Sequence, residues 1–285
     1  MNSRFSPLLW GGLVMVLALA LTLYVSVLEK QFLEANQIVS PDVSLGPVTA
    51  YFFGVVVVMA LVLFIIPLRR LRLVFRLLFA FMFAWGIFVV AGLLLPPVAA
   101  YAVAAIAGAV WLFWARIWLH DLLLLVTLAG AGSVFGFLFS PWTFMIFMLI
   151  IAVYDVLAVR FGFMVWMADK LSSSDTLPAF IFPRKMHDWT LSLKNVRVGD
   201  LKNQAAEERE HAILGGGDIG FPLMLAVSVY FQGGLAGAVV VGVLALVGLL
   251  GAFLIQMFWL KGKPMPALPP IAFFSLVGLL LSRLV

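Results

Sequence analysis

Three observations in the sequence predict an all-α, polytopic membrane protein with nine transmembrane helices. Hydrophobic residues make up 65% of the 285 residues and charged residues only 11%, against roughly 45–50% and 25% in soluble domains. Apolar runs of about 20 residues, the length that crosses a bilayer as a helix, recur along the whole chain. Basic residues are confined almost entirely to alternate connections. A soluble enzyme or a disordered chain is excluded, because too much apolar surface would be left in water. With no cysteine, neither a disulfide framework nor a Cys-ligated metal is possible. His120, His187 and His211 are too scattered for a zinc site, so no cofactor or metal is expected. Basic charge on such a chain marks loops rather than nucleic-acid binding.

The elements follow in order. Pro7–Leu28 is the first span. Ala18-Leu19-Ala20 resembles a signal-peptidase site, but the apolar run continues past it, which argues against cleavage. Pro47–Leu68 is closed by Arg69-Arg70. Leu73–Leu95 lies between Arg72 and Pro96-Pro97, and Pro97–Ala115 opens on a proline suited to a first helical position. Leu122–Phe139 follows His120-Asp121. Trp142–Met167 completes a six-span bundle over 1–168. A polar loop covers 169–212, where Leu191-Ser192-Leu193 and Val196-Arg197-Val198 alternate like a short hairpin around Lys194-Asn195. Ile213–Phe231, Gly234–Leu260 and Pro266–Leu284 form a three-span C-terminal part, 213–285. Of 18 Lys and Arg residues, only Lys30 and Arg283 fall on the side opposite Arg4. The positive-inside rule then sets the N-terminus in the cytoplasm and the C-terminus outside, with the chain in the cell membrane of a prokaryote.

Of 13 acidic residues, eleven fall in loops or at the ends of these spans. Asp155 and Asp218 do not. An acid at mid-bilayer costs at least ~2.5–3.5 kcal/mol, so both call for a function. Asp155 lies five residues before Arg160 and Asp218 seven after His211, placing them at similar depth if both stretches are helical. Ala152, Asp155, Ala158 and Gly162 make a small face on one span. Gly215-Gly216-Gly217 and Gly220 flank the other acid, so the two spans can pack closely. Adjacent carboxylates share one proton. One then activates water while the other, protonated, polarises a carbonyl, as in aspartic proteases.

At this point Tyr154-Asp155, Gly215-Gly216-Gly217-Asp218 and Pro266-Ala267-Leu268 match the Y-D, G-x-G-D and P-A-L signatures in order. The chain resembles the presenilin and signal peptide peptidase family of intramembrane aspartyl proteases over essentially its whole length, in a short-looped, archaeal-like form. The resemblance implies Asp155 and Asp218 as catalytic. It implies that Tyr154, Gly215–Gly217 and Pro266-Ala267-Leu268 shape the site, with single-span transmembrane proteins as substrates and no obligate partner subunit. The charge-derived orientation is similar to that of presenilins. Ile219-Gly220-Phe221-Pro222 is more similar to the peptidase branch. A rhomboid serine protease needs a Gly after its Ser, which Ser133 lacks, and H-E-x-x-H is absent. The competing class is a proton-coupled transporter or cation channel using the same acids. An unwound substrate also needs backbone partners in lipid. Strand addition by Ala267-Leu268, or by the segment around Val196-Arg197-Val198, is the expected means.

Overall fold

The structure, a computed structural model, describes residues 6–39, 41, 43–66, 68–196, 210–260 and 265–284. Among them are ten α-helices: α1 (Ser6–Ala35), α2 (Leu45–Ile65), α3 (Leu68–Leu94), α4 (Pro97–Phe113), α5 (Ile117–Leu138), α6 (Pro141–Arg160), α7 (Phe163–Ser172), α8 (Gly216–Gly233), α9 (Leu235–Phe258) and α10 (Leu268–Leu281). Strands β1 (Ala179–Pro183) and β2 (His211–Gly215) form one antiparallel pair. Six helices, α1, α2, α3, α5, α6 and α9, are long and apolar enough to cross a membrane. The other three expected spans correspond to α4, α8 and α10, which have 17, 18 and 14 residues.

Helices α5 and α8 form the buried centre. Helix α5 packs against α1, α3 and α8, and α8 against α1, α9 and α10. Small residues make this possible. A Cβ on Gly86 would stand 2.5 Å from the Thr127 backbone, so α3 and α5 meet there without side chains between them. Between α9 and α10 a Cβ on Gly248 would lie 2.7 Å from the Cα of Ile271. Helix α9 therefore fixes the start of α10 at backbone contact, the packing that small residues permit in lipid. Helix α2 is the exception, with most of its surface facing outward.

Several expectations are corrected here. The sixth apolar run is broken. Gly162 adopts φ 72° and closes α6, the left-handed stop that glycine accepts without a Cβ penalty. Helix α7 is a separate element, and Gly162 leaves the small face expected on the sixth span. The seventh run begins as a strand, since Ile213–Gly215 pair with β1 before α8 starts. The hairpin expected around Lys194-Asn195 is instead a 3-10 turn, Leu193–Asn195. Arg197 and Val198 lie outside the described residues. Within the expected polar loop, residues 173–196 are packed on the bundle, with Leu177, Phe180, Ile181, Leu193 and Val196 all buried.

Buried polar groups were also more numerous than the span boundaries implied. Helix α1 runs seven residues past Leu28, so Glu29 is buried and accepts a hydrogen bond from Ser133 on α5. Helix α5 begins at Ile117, which puts His120 and Asp121 inside it. The Asp121 carboxylate accepts the Ile181 amide at 3.1 Å, and His120 Nε2 contacts the Ala179 carbonyl at 3.1 Å. These two residues pin β1 to the bundle. Replacing Asp121 by Ala leaves a buried amide without its acceptor, which costs about 1–3 kcal/mol. The expected result is a lower melting temperature in detergent for Asp121→Ala, with Asp121→Asn closer to wild type. Equal melting of all three proteins would refute this anchoring role.

Candidate active site

Asp155 lies five residues before α6 ends at Arg160 and is only 6% exposed. Its Oδ2 accepts the backbone N–H of Leu268 at 3.2 Å. That amide belongs to the first turn of α10, where no intrahelical acceptor exists for it. The side chain of Leu268 is buried in the core formed by α6, α8, α9 and α10. The Pro-Ala-Leu segment is therefore attached to the first aspartate directly. Ala267 has helical angles, φ −87° and ψ −26°. The segment is thus a helix start with its amide already engaged, not the extended strand expected from the sequence.

Asp218 is the third residue of α8. Its carboxylate reaches back to the amide of Gly215, the N-cap residue. This is the acidic half of a capping box, in which a third-position acid satisfies an orphan N–H, and the positive end of the helix favours an acid there. Gly215 is required by close approach. A Cβ would stand 2.9 Å from the Asp218 carboxylate. Gly216 donates its amide to the Pro178 carbonyl at 2.9 Å, and a Cβ on it would lie 3.0 Å from the same oxygen. The glycines thus join the sheet to the helix that carries the acid. Asp155 is near enough to Asp218 to act on it electrostatically.

The stretch from His211 to Asp218 is not helical throughout, as the expected common depth of the two acids assumed. His211–Gly215 is extended, rising about 3.3 Å per residue rather than 1.5 Å. The sheet itself carries the chain to the level where α8 begins. Outside the membrane helices, burial pushes the imidazole of His211 below its usual value, while Glu210 and Asp188 oppose the shift.

Tyr154 is half-buried and turns its ring to α2, 5.6 Å from Phe53 and 6.4 Å from Phe52. Phe52 also meets Phe147 at 5.6 Å and Phe221 at 6.4 Å. Phe221 lies one turn beyond Asp218. An aromatic cluster therefore links α2, α6 and α8 beside the two acids. Phe52 and Phe53 were not legible as site residues, since an aromatic inside an apolar span has no distinguishing signal. Pro266 and Ala267 are half-buried next to Leu268.

A family model described as signal-peptide peptidase, presenilin aspartyl protease matches residues 11–285. No curated protein matches the chain. Two solved structures of a presenilin family intramembrane aspartate protease share its fold. The first, in a C222 space group, has a TM-score of 0.63 at 22% identity and covers 98% of this chain and 99% of the other. The second, in a P2 space group, has a TM-score of 0.58 at 21% identity with 98% of each chain covered.

Proposed function

Because this chain belongs to the signal-peptide peptidase and presenilin family of intramembrane aspartyl proteases, we propose that Asp155 and Asp218 are its catalytic pair. One carboxylate takes a proton from water as the water attacks the scissile carbonyl. The other, protonated, donates to the carbonyl oxygen, and the proton then passes to the leaving amine. The single observation that carries this assignment is that a motif backbone amide holds each acid, Asp155 from the Pro-Ala-Leu segment and Asp218 from within its own glycine motif. Asp155 is held by the Leu268 amide and Asp218 by the amide of Gly215. In this reading Leu268 is a positioning residue that fixes the rotamer of Asp155, Gly215–Gly217 set the approach of α8, and Tyr154 with Phe52 and Phe53 walls the site toward α2. The transporter reading has no comparable support once the family is known.

The substrate is a single-span transmembrane segment that must unwind, because helical backbone hides its carbonyls. Its freed amides need partners in a dry site. The alternation of an antiparallel ladder suggests one. Ile181 turns its amide away from β2 to Asp121, so its partner Ile213 turns its own amide away from β1. That is the side on which the Gly215 amide meets Asp218. We assign strand pairing with the substrate to Ile213 rather than to Ala267-Leu268. Nine crossings, with the N-terminus and the basic connections in the cytoplasm of a prokaryote, complete the proposal.

Purified protein in liposomes should cleave a model single-span peptide without any added subunit. A Gly-Pro pair near the scissile bond should speed cleavage relative to a poly-Leu span. Equal rates for the two peptides would contradict the unwinding step, and no cleavage of either would contradict the proposal as a whole.

A further inference from the structure

We propose that a cavity on the basic side of the molecule, lined by Arg76, Arg116 and Lys194, binds the phosphate group of an anionic phospholipid. The cavity has a volume of about 150 Å³ and lies where α3, the α4–α5 link and residues 192–194 converge. By the ~30 Å³ that a water takes in the liquid, this accommodates a phosphate with its hydration.

Its walls are fixed before any ligand arrives. Leu193 donates its amide to Ala115 at 3.2 Å, and Ile117 donates to Leu191 at 3.1 Å. Arg116 donates to the Thr190 carbonyl at 2.6 Å and stands 5.6 Å from the Trp114 ring. Arg76 bonds the Leu112 carbonyl through Nη2, but its Nε is buried with no hydrogen-bond partner. The planar fork of arginine matches phosphate oxygens, and Arg76 and Arg116 both line the cavity. Asp175 is the acid in the lining. Its Oδ2 is taken by Arg72 at 2.6 Å, leaving a buried Oδ1 without a partner. The Arg72–Asp175 pair is close to neutral, so the cavity keeps the positive character of its three other cations.

The surroundings select a lipid as the source of the phosphate. Phe113 and Trp114 line the cavity and are 85% and 49% exposed. Exposed aromatic rings beside clustered Arg and Lys mark the headgroup level of a bilayer, where basic pockets between helices take acidic headgroups. Neither the aspartate pair nor the protease assignment enters this argument. Occupancy would tie residues 190–194 to α3, α4 and α5.

The test uses the full chain in nanodiscs of phosphatidylcholine with and without phosphatidylglycerol, with bound lipid counted by native mass spectrometry. Wild type should retain phosphatidylglycerol over phosphatidylcholine. Lys194→Gln and Arg76→Gln should each weaken retention about fivefold, the effect of one basic residue near a membrane surface. Lys194 is exposed, so its variant tests the site even if Arg76→Gln folds poorly. Arg283→Gln, on the opposite side over Trp142, should retain lipid like wild type. Displacement of phosphatidylglycerol by millimolar inorganic phosphate would keep the phosphate site but make soluble phosphate a second source. Equal retention of the two lipids, unchanged retention in Lys194→Gln, or equal loss in Arg283→Gln would overturn the proposal.

Discussion

Replacing either Asp155 or Asp218 by Ala should abolish cleavage of a transmembrane peptide while leaving the helical bundle assembled. Each acid supplies a proton-transfer role worth typically ~10²–10⁴-fold. The roles are coupled, so removing one carboxylate disables the other. A loss of at least about 10³-fold is expected from either variant. Stability should respond in two opposing ways. Losing a buried carboxylate removes a desolvation cost and can even stabilise the fold. The same change orphans an amide, that of Leu268 for Asp155→Ala and that of Gly215 for Asp218→Ala. Asn variants keep an acceptor oxygen while losing the proton chemistry, so they separate the two effects. Asp155→Asn and Asp218→Asn should be inactive yet melt close to wild type. Substantial cleavage by any of the four variants would sink the assignment of the catalytic pair.

The second large effect is expected from one methyl group. Gly215→Ala places a Cβ 2.9 Å from the Asp218 carboxylate, inside normal contact distance. The neighbouring atom is a short, tethered carboxylate whose own partner is the amide of residue 215. The acid must rotate or α8 must shift. A displacement of the order of 1 Å at a catalytic group can cost about 10²-fold in rate. The rate should therefore fall on that scale in kcat, with the affinity for peptide much less changed, because the backbone of β2 stays paired. Wild-type kcat in Gly215→Ala would show that the glycine is dispensable and that Asp218 has more freedom than its capping contact implies.

Much of this architecture was legible because lipid imposes a simple rule on sequence. Apolar runs bounded by charge or proline gave helices α2, α4 and α8 to α10 within three residues, whereas α1 runs seven residues past its expected end and α3 and α5 each begin five residues early. The two acids stood out because their cost in lipid is large. What stayed hidden was local or distant. Ala179–Pro183 is too short to cross a bilayer, and its partner Ile213–Gly215 is apolar and adjoins a span, so both strands were absorbed by longer readings. Leu191-Ser192-Leu193 alternates like a strand, but its pattern is satisfied by a 3-10 turn packed on the α4–α5 link. Arg160 and Gly162 are a basic last turn and a glycine stop, but they lie between two apolar stretches that read together as one span, so the break between α6 and α7 was passed over. The bond from Leu268 to Asp155 joins residues 113 apart, a contact that tertiary packing alone creates.

The sheet has a further consequence, for chain length. Both strands are fastened at the bundle end, β1 through Asp121 and His120 and β2 through Gly216 and Pro178. Neither anchor lies in the chain that joins the strands. Ring-closure entropy grows only logarithmically, about 0.6 kcal/mol for each doubling of a flexible connection. The exposed Lys185-Met186-His187 stretch between the strands is thus a position where the polypeptide can lengthen, by evolution or by insertion of an epitope or a reporter domain, without disturbing the register that delivers Asp218 to its place.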